Sequence, residues 1–291
     1  MKVGLMGTGL MGLPMVYRFL QAGLAVMAYN RTASKLESLE STDAEVVIDP
    51  GDLVTQSDCI LLMLTNAAAI QAVLLSNDLQ PHLTGRTIIQ MGTIAPTESR
   101  SLQKQIEASG GSYLEAPVLG SIPQVKSGTL QIMVGSTEAQ FQQWTELLQH
   151  LGQPQWIGPV GTAAALKLAL NQLIASLTMT FATSLGFVQQ QGGDIEKFMQ
   201  ILRDSALYAP TFDKKLQRML EGNYENPNFP VKHLLKDTNL FLQESESLQL
   251  QTNFLREIQA ILEQTIELGR ENQDYSALFE GIKSEGTQAE L

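Results

Sequence analysis

Three glycines near the amino terminus have a spacing that suits phosphate binding. The pattern Gly7-x-Gly9-x-x-Gly12 follows an apolar run at Lys2–Met6 and opens a helical stretch that ends near Gly23. In such a pattern the first glycine allows a tight turn, the second lets the backbone approach a pyrophosphate, and the third lets helix and strand pack closely. A helix N-terminus also favours bound negative charge. The predicted dinucleotide contacts are the six residues of this loop, Gly7, Thr8, Gly9, Leu10, Met11 and Gly12.

The residues after the second predicted strand bear on the choice of dinucleotide. Glycine patterns also mark ordinary turns, but here a strand pattern follows at residues 24–29, at the distance expected in a nucleotide-binding unit. It ends in Asn30-Arg31-Thr32, where an NAD-selective site usually has Asp or Glu on the ribose hydroxyls. A guanidinium can instead bind a 2'-phosphate through two hydrogen bonds. We predict that Asn30, Arg31 and Thr32 bind NADP(H) in preference to NAD(H); the alternative is that Arg31 is a solvated loop residue.

A second group capable of chemistry lies far along the chain, at Lys167. It is the only charge in a long apolar helical pattern at residues 162–189, where an unpaired ammonium would be costly to bury. Partial desolvation makes a lysine a better proton-transfer group. Asn171 lies four residues on and projects from the same helical face, where it could orient a substrate hydroxyl or carbonyl. Two interpretations stay open here: a catalytic pair, or a lysine that extends to solvent beside an asparagine in a packing contact.

The elements that must position these groups fall into two regions. Up to Gly161, strand and helix patterns alternate, which predicts an α/β Rossmann domain with a doubly wound, mainly parallel sheet. Beyond that point the composition shifts to Ala, Leu, Thr and Met, and strand alternation ends. We predict an NADP-binding domain at residues 1–161 and an all-α substrate and oligomerisation domain at residues 162–291, joined by a long interdomain helix. The polar residues 284–291 are expected to fray.

Composition and charge exclude several classes of protein. The chain has 291 residues, of which 44% are hydrophobic and 17% charged, as in ordinary globular proteins. Its net charge of −11 argues against a nucleic-acid partner. The single cysteine, Cys59, fits a reducing cytoplasm, and the three histidines lack metal-ligand spacing, so no metal is expected. The apolar stretch at 162–189 contains Lys167, Asn171 and Gln172, so we expect no membrane span.

Four motifs together resemble one enzyme family. They are Gly7-Thr-Gly-Leu-Met-Gly-Leu-Pro-Met15, Glu115-Ala-Pro-Val-Leu-Gly-Ser121, Gly158-x-x-Gly-x-x-x-x-x-Lys167-x-x-x-Asn171 and Lys236-Asp237. In this order they resemble the β-hydroxyacid dehydrogenases, which include 3-hydroxyisobutyrate dehydrogenase and the glyoxylate and succinic semialdehyde reductases. The resemblance covers nearly the full chain.

The resemblance implies roles for several residues. Lys167 would be the general acid and base, Asn171 would hold the substrate, and Lys236 would reach toward the cofactor and the reacting atoms. The simpler alternative for Lys236 is a solvated ion pair with Asp237, and Thr93 could simply cap a turn. Three further residues would line the cofactor cleft, with the last of them at its nicotinamide end: Met63, Leu64 and Thr93.

One departure from the family motif concerns the substrate carboxylate. The family usually has Ser-Gly-Gly after Ala-Pro-Val and binds the carboxylate with the serine and backbone amides, whereas this chain has Leu119-Gly120-Ser121. Leucine offers no hydroxyl. Carboxylate binding would then rest on Gly120 and Ser121, or the preferred substrate would be less polar at that end.

The expected activity is NADPH-linked reduction of small aldehydes or oxo acids, or oxidation of the matching β-hydroxy acids. The partner would be a small carboxylated aldehyde or hydroxy acid, and the apolar helical surfaces suggest a homo-oligomer. Two alternatives are an NAD-linked 3-hydroxyisobutyrate dehydrogenase and a regulatory module that binds the nucleotide without turnover.

Overall fold

A computed structural model of the protein describes residues 1–283. The chain forms two compact units, Met1–Leu168 and Ala169–Leu291, each with its own hydrophobic core. The boundary lies seven residues beyond the one predicted at Gly161, inside a continuous helix. The predicted fraying of residues 284–291 lies outside the described residues.

The first unit contains a sheet with the predicted architecture. Its strand order is β3-β2-β1-β4-β5-β6-β8-β7, and β9 pairs with β8. The first six strands of this order pair in parallel, β8 runs antiparallel to β6 and β7, and β9 is parallel to β8. This confirms the prediction of a doubly wound, mainly parallel sheet. Within the described residues the strands are β1 (Lys2–Met6), β2 (Ala25–Tyr29), β3 (Glu45–Val47), β4 (Cys59–Leu62), β5 (Thr87–Gln90), β6 (Ser112–Glu115), β7 (Val118–Leu119), β8 (Leu130–Gly135) and β9 (Gly152–Gly158).

Helices cover both faces of the sheet. Successive residues of β1 face different cores. Val3 and Leu5 pack with α1 and α6, whereas Met6 packs with α2, α3 and α4. Such division of successive side chains follows from the two-residue period of a strand. The helices of this unit are α1 (Gly12–Gln21), α2 (Pro50–Gln56), α3 (Ala67–Leu74), α4 (Pro96–Ala108), α5 (Ile122–Ser127) and α6 (Glu138–Gln149).

Six parallel strands end on a single row of paired residues. Val47 pairs with Tyr29, Tyr29 with Met6, Met6 with Leu62, Leu62 with Gln90, and Gln90 with Glu115. The loops that follow these strands therefore leave the sheet side by side. In open α/β sheets ligands bind at this carboxyl edge, near the point where the strand order reverses, which here is between β1 and β4.

The helix α7 (Thr162–Gln190) begins in the first unit and continues into the second. It meets the length and composition of a membrane span, the one helix to do so among residues 1–283. That is weak evidence, because core helices of water-soluble proteins meet the same criteria, and Ala175, Phe181, Ala182 and Leu185 are buried in the core of the second unit.

The second unit, as far as it is described, consists of helices and one isolated β-bridge between Pro230 and Asp274. A buried ion pair ties α9 to the segment before the last helix: Lys215 Nζ lies 2.8 Å from Asp274 Oδ1 and 4.2 Å from the centre of the Tyr275 ring. Burial lowers the pKa of Lys215, and Asp274 opposes that shift. The remaining helices are α8 (Ile195–Arg203), α9 (Pro210–Glu221), α10 (Val231–Ser247), α11 (Asn253–Glu267) and α12 (Leu278–Ile282).

Candidate active site

The glycine loop is shaped by two close backbone approaches. Gly7 has a φ of +102°, and a Cβ there would overlap the carbonyl oxygen of Met63. A Cβ on Gly12 would overlap the carbonyl oxygen of Gly7. Both glycines are therefore required by the packing of the loop itself, as the sequence pattern predicts.

Gly9 differs from its two neighbours in the pattern. A Cβ at this position would meet no heavy atom of the described residues within 4 Å. The packing of the protein therefore does not require glycine here, but the space in front of the backbone suits a phosphate that approaches the start of α1. The loop fits the pyrophosphate of a dinucleotide.

A hydrogen-bonded network joins the glycine loop to the segment after β2. The Asn30 amide Nδ2 donates to Thr8 Oγ1 (3.0 Å), and Thr8 Oγ1 donates to the carbonyl oxygen of Lys35 (3.1 Å). Asn30 Oδ1 accepts from the backbone N–H of Thr32 (2.9 Å). Asn30 thus orders the loop, and Arg31, the next residue, is exposed.

A groove of about 550 Å³ runs along the glycine loop. It contacts the loop at Thr8 and Gly9 and carries two exposed lysines, Lys35 and Lys126, on its walls. Lys35 follows Arg31 by four residues, and residues 30–36 contain no acid. The segment therefore offers two cations and no carboxylate beside the loop.

The loops after β4 and β5 lie next along the sheet edge. Met63 and Leu64 follow β4, and the Met63 carbonyl contacts Gly7 as described above. The buried Gln90 side chain shapes the next loop, because its Nε2 donates to the Gly92 carbonyl (2.9 Å) and its Oε1 accepts from the Gly92 N–H (2.6 Å). This places Thr93, half-buried, just beyond the same edge.

Gly120 and Ser121 lie in the turn between β7 and α5. The sequence analysis predicted neither of these two elements. Gly120 has a φ of +128°, and the backbone N–H and the hydroxyl of Ser121 both donate to Gln124 Oε1 (2.9 Å each). α5 packs against α1, the helix of the glycine loop. The Ser121 hydroxyl is therefore already engaged in starting a helix, and its oxygen can still accept a hydrogen bond.

Lys167 lies in the second turn of α7 and is buried, with 9% of its surface exposed. The start of this helix is held by Glu115, whose Oε1 accepts from the backbone N–H groups of Gly161, Ala163 and Ala164 (2.8, 2.9 and 3.1 Å). Burial raises the pKa of Glu115, and these hydrogen bonds and one from Ser99 oppose the shift.

Asn171, in the second unit, is part of a buried cluster with α10. Its Nδ2 donates to Asp237 Oδ2 (2.6 Å), and Lys236 Nζ lies 2.8 Å from Asp237 Oδ1. A carboxylate can only accept, so the Asn171 amide nitrogen must face it. Asn171 Oδ1 is buried and has no hydrogen-bond partner among residues 1–283. This leaves a buried acceptor available for a hydroxyl. Because Asp237 is 3% exposed, Lys236 and Asp237 do not form the solvated pair that was the simpler alternative.

Sequence reasoning gave three residues no role in the site. Asp237 lies on the buried face of α10 with Val231 and Leu234, and its three-residue spacing from Leu234 was a detectable signal. Lys35 could have been found as a second cation after the second strand. Glu115 carried no such signal, because its partners are backbone groups 46 to 49 residues away. No group of three or more His, Cys, Asp or Glu in the described part of the chain could hold a metal ion.

Two family models together match almost the whole chain. The NAD-binding domain of 6-phosphogluconate dehydrogenase matches residues 2–162, and the NAD-binding domain of NADP-dependent 3-hydroxyisobutyrate dehydrogenase matches residues 161–282. The 2-hydroxy-3-oxopropionate reductase of Escherichia coli is 30% identical over 97% of this chain and 97% of its own. The chain belongs to the β-hydroxyacid dehydrogenase family. The resemblance seen in the four sequence motifs is thereby confirmed.

Other members of the β-hydroxyacid dehydrogenase family are similar over the same length. The chloroplastic glyoxylate/succinic semialdehyde reductase 2 of Arabidopsis thaliana is 28% identical over 97% of this chain and 80% of its own. The cytokine-like nuclear factor N-PAC of Homo sapiens is 27% identical over 96% of this chain and 51% of its own. The family therefore contains named reductases and a protein named as a nuclear factor.

Solved structures share the fold. The 3-hydroxyisobutyrate dehydrogenase of Mycobacterium tuberculosis has a TM-score of 0.87 at 17% identity and covers 97% of this chain and 99% of its own. Psf3 in complex with NADP⁺ and 2-OPP has a TM-score of 0.85 at 20% identity, covering 97% and 100%. With the family models, these matches confirm a Rossmann-type NAD(P)-binding domain followed by a helical domain.

The contrast between Gly9 and Gly12 gives a test of the loop. We expect Gly9→Ala to leave the free energy of unfolding within about 0.5 kcal/mol of native, because its methyl group meets no protein atom. The same methyl should occupy phosphate space and raise the Kd for NADPH by about tenfold or more. Gly12→Ala should instead destabilise the protein by about 1–3 kcal/mol, because α1 must move. Urea unfolding and NADPH fluorescence titration measure the two effects; a Gly9→Ala protein that binds NADPH as tightly as native would contradict the assignment.

Proposed function

We propose that this β-hydroxyacid dehydrogenase family member is an NADP(H)-dependent oxidoreductase that reduces small aldehydes or oxo acids, or oxidises the matching β-hydroxy acids. The observation that carries the proposal is the pair on α7: a buried Lys167 and, one turn later, a buried Asn171 with an available acceptor oxygen. Lysine and asparagine at this spacing face the same side of a helix. A purely structural helix has no evident need for either group in its buried part.

In the proposed reaction the residues of α7 act on the substrate oxygen. A bound nicotinamide dinucleotide supplies a hydride to the carbonyl carbon, as this class of cofactor does. The Lys167 ammonium donates a proton to the oxygen that gains negative charge, and in the oxidative direction the free amine accepts it. Asn171 Oδ1 accepts from the hydroxyl of the alcohol, and Asp237 keeps the amide in that orientation. Lys236, held by Asp237, supplies a second cation near the reacting group.

The substrate class is proposed from the relatives and from the turn before α5. The named relatives act on small oxo acids or aldehydes, and the turn before α5 contains Gly120, with a φ of +128°, and Ser121. Leu119 removes one hydroxyl from this turn. A carboxylated substrate would then be held by other backbone N–H groups of this turn, because the N–H and the hydroxyl of Ser121 already donate to Gln124 Oε1.

NADP(H) is preferred in the proposal because of the segment after β2. Arg31 and Lys35 are both exposed there, and the nearest acid is Glu37. A 2'-phosphate adds two negative charges that these cations would bind, whereas the ribose hydroxyls of NAD(H) gain nothing from them. The alternative, an NAD-linked 3-hydroxyisobutyrate dehydrogenase, lacks support from this segment.

A non-catalytic nucleotide-binding module is the second candidate. The observation in its favour is the similarity to N-PAC, which is named as a nuclear factor and not as an enzyme. Against it stands the buried cluster of Asn171, Asp237 and Lys236, which nucleotide binding alone would not require. The buried single thiol of Cys59 supports a reducing compartment such as the cytoplasm for either candidate.

Kinetics of Lys167→Ala test the catalytic role. With NADPH and a panel of glyoxylate, succinic semialdehyde, methylmalonate semialdehyde and uncharged aldehydes, we expect native turnover and a kcat loss of about 10²- to 10⁴-fold in Lys167→Ala. Lys104→Ala, an exposed lysine of the same unit, is the control and should match native. Equal rates for Lys167→Ala and native would remove Lys167 from the mechanism. NADPH binding without turnover of any panel member would favour the non-catalytic module.

Cofactor selectivity tests Arg31. Loss of a charge-assisted contact to the 2'-phosphate should raise the KM for NADPH by about 10- to 100-fold in Arg31→Ala, with little change in the KM for NADH. Arg31→Lys should recover part of the loss, because it keeps the charge and not the bidentate geometry. Lys214→Ala, an exposed lysine of α9, serves as the control. A parallel rise in both KM values would mean that Arg31 does not contact the 2'-phosphate.

We also propose a homo-oligomer in which α7 contacts a second copy. Ala169, Leu173 and Leu177 recur every four residues on one face of α7, and the two leucines are 50% and 38% exposed; Phe187, further along, is 67% exposed. A continuous apolar stripe of this kind on one long helix suits packing against its own symmetry mate.

Sedimentation velocity tests the oligomer. The native protein should sediment at twice the mass of the chain or more at micromolar concentration. Leu173→Glu with Leu177→Glu should sediment as a monomer, because two buried carboxylates at a symmetric contact are each strongly unfavourable. The matched control is Leu248→Glu, an exposed leucine outside α7. A native monomer at assay concentration would contradict the proposal.

A further inference from the structure

Glu115 is the most buried carboxylate of the first unit that the proposed reaction does not use. It is the last residue of β6, on the row where six strands end, and is 1% exposed. Its Oε1 accepts from three backbone N–H groups, those of Gly161, Ala163 and Ala164. These are groups that the first turn of a helix leaves without partners, so one carboxylate oxygen completes the start of α7.

The other carboxylate oxygen faces a chain of hydroxyls. Ser99 Oγ donates to Glu115 Oε2, and Ser99 Oγ lies 2.8 Å from Tyr113 Oη. Because the single Ser99 proton goes to the carboxylate, Tyr113 must donate to Ser99. All donors therefore point toward Glu115. Ser99 belongs to α4, so the carboxylate joins β6, α4 and the start of α7.

The space around this carboxylate is closely filled. A Cβ on Gly135, in the neighbouring strand β8, would overlap Glu115 Oε1. A glutamate with its two oxygens fixed in this way has one available conformation. That conformation fixes the position of the α7 backbone relative to the sheet edge. Ala163, one of its partners, lies one turn before Lys167, about 6 Å along the helix axis.

We infer that Glu115 is a positioning residue for Lys167: it fixes the first turn of α7 against the strand ends and thereby holds the lysine at the reacting oxygen. The inference rests on the proposed function, because it assumes that Lys167 transfers the proton. A misplacement of a catalytic group by about 1 Å can cost on the order of 10² in rate. The carboxylate itself touches neither substrate nor cofactor in this role.

Two substitutions of Glu115 separate the effect of its side-chain shape from the effect of its hydrogen bonds to α7. Glu115→Ala removes the acceptor for all three N–H groups, whereas Glu115→Gln keeps the shape and one oxygen for α7, with Ser99 reversed to accept from the new amide. We expect kcat to fall by about 10²-fold in Glu115→Ala and by less than tenfold in Glu115→Gln, with the Kd for NADPH unchanged in both. Asp49→Ala, which removes a carboxylate cap from α2 in the same unit, should leave kcat at the native value.

A double-mutant cycle decides whether Glu115 acts through Lys167. If it does, Glu115→Ala lowers the single-turnover rate in the native background and changes it by less than about threefold in the Lys167→Ala background. An equal factor in both backgrounds would overturn the inference and leave the proposed function intact. A native rate for Lys167→Ala would instead remove Lys167 from the proposed mechanism, on which the inference rests.

Hydrogen exchange provides the readout that does not depend on activity. The amides of Gly161, Ala163 and Ala164 should exchange faster in Glu115→Ala and near the native rate in Glu115→Gln, while the amides of α2 stay unchanged. Should Glu115→Ala fail to fold, Glu115→Gln and Glu115→Asp replace it, since aspartate is one methylene too short to reach α7. Native exchange at these three amides in all variants would show that the carboxylate does not hold the helix and would overturn the inference.

Discussion

The common end of six parallel strands is the constraint on which the rest of the first unit depends. Their last residues pair in one row, so every following loop starts at the same level of the sheet: Val47, Tyr29, Met6, Leu62, Gln90 and Glu115. A parallel register leaves no freedom here, because slipping one strand by a residue would turn its apolar side chains out of their cores. The glycine loop, the segment after β2 and the two following loops are neighbours for this reason alone.

Most of the fold follows from periodicity in the sequence. β1 was predicted with its observed bounds, Lys2–Met6, because it is an apolar run that ends at the glycine loop. β7 and α5 were not predicted: two and six residues are too short for a period to show, and Pro123 lies inside the helix at a position that early helix turns tolerate. The sequence analysis placed the domain boundary at Gly161, where the composition changes. The boundary between the two compact units lies instead inside α7, because a change in composition does not end a helix.

Candidate site residues could be named from the sequence where the local pattern itself points to a role. The glycine loop, Arg31, Lys167 and Asn171 all stand out from their immediate neighbours by type or spacing. Glu115 does not, because its importance lies in three backbone groups of a distant segment. Asp237 shows only its spacing from Leu234 on the buried face of α10, and its partner Asn171 is distant in the chain. Backbone donors have no side-chain identity, so a sequence gives no signal for the carboxylate that binds them.

The hydrogen-bond partners of Glu115 also bear on where the chain could be truncated after the α/β unit. A fragment ending at Gly161, where the composition changes, would keep the buried carboxylate and discard Ala163 and Ala164, two of its three backbone donors. Hydrogen bonds to a charged group contribute about 1.5–3 kcal/mol each, and a buried charge without them is strongly destabilising. We therefore expect the nucleotide-binding unit to lose stability when it is cut at its compositional border. A fragment that keeps all three donors must include the first turn of the helix that this unit shares with the other one.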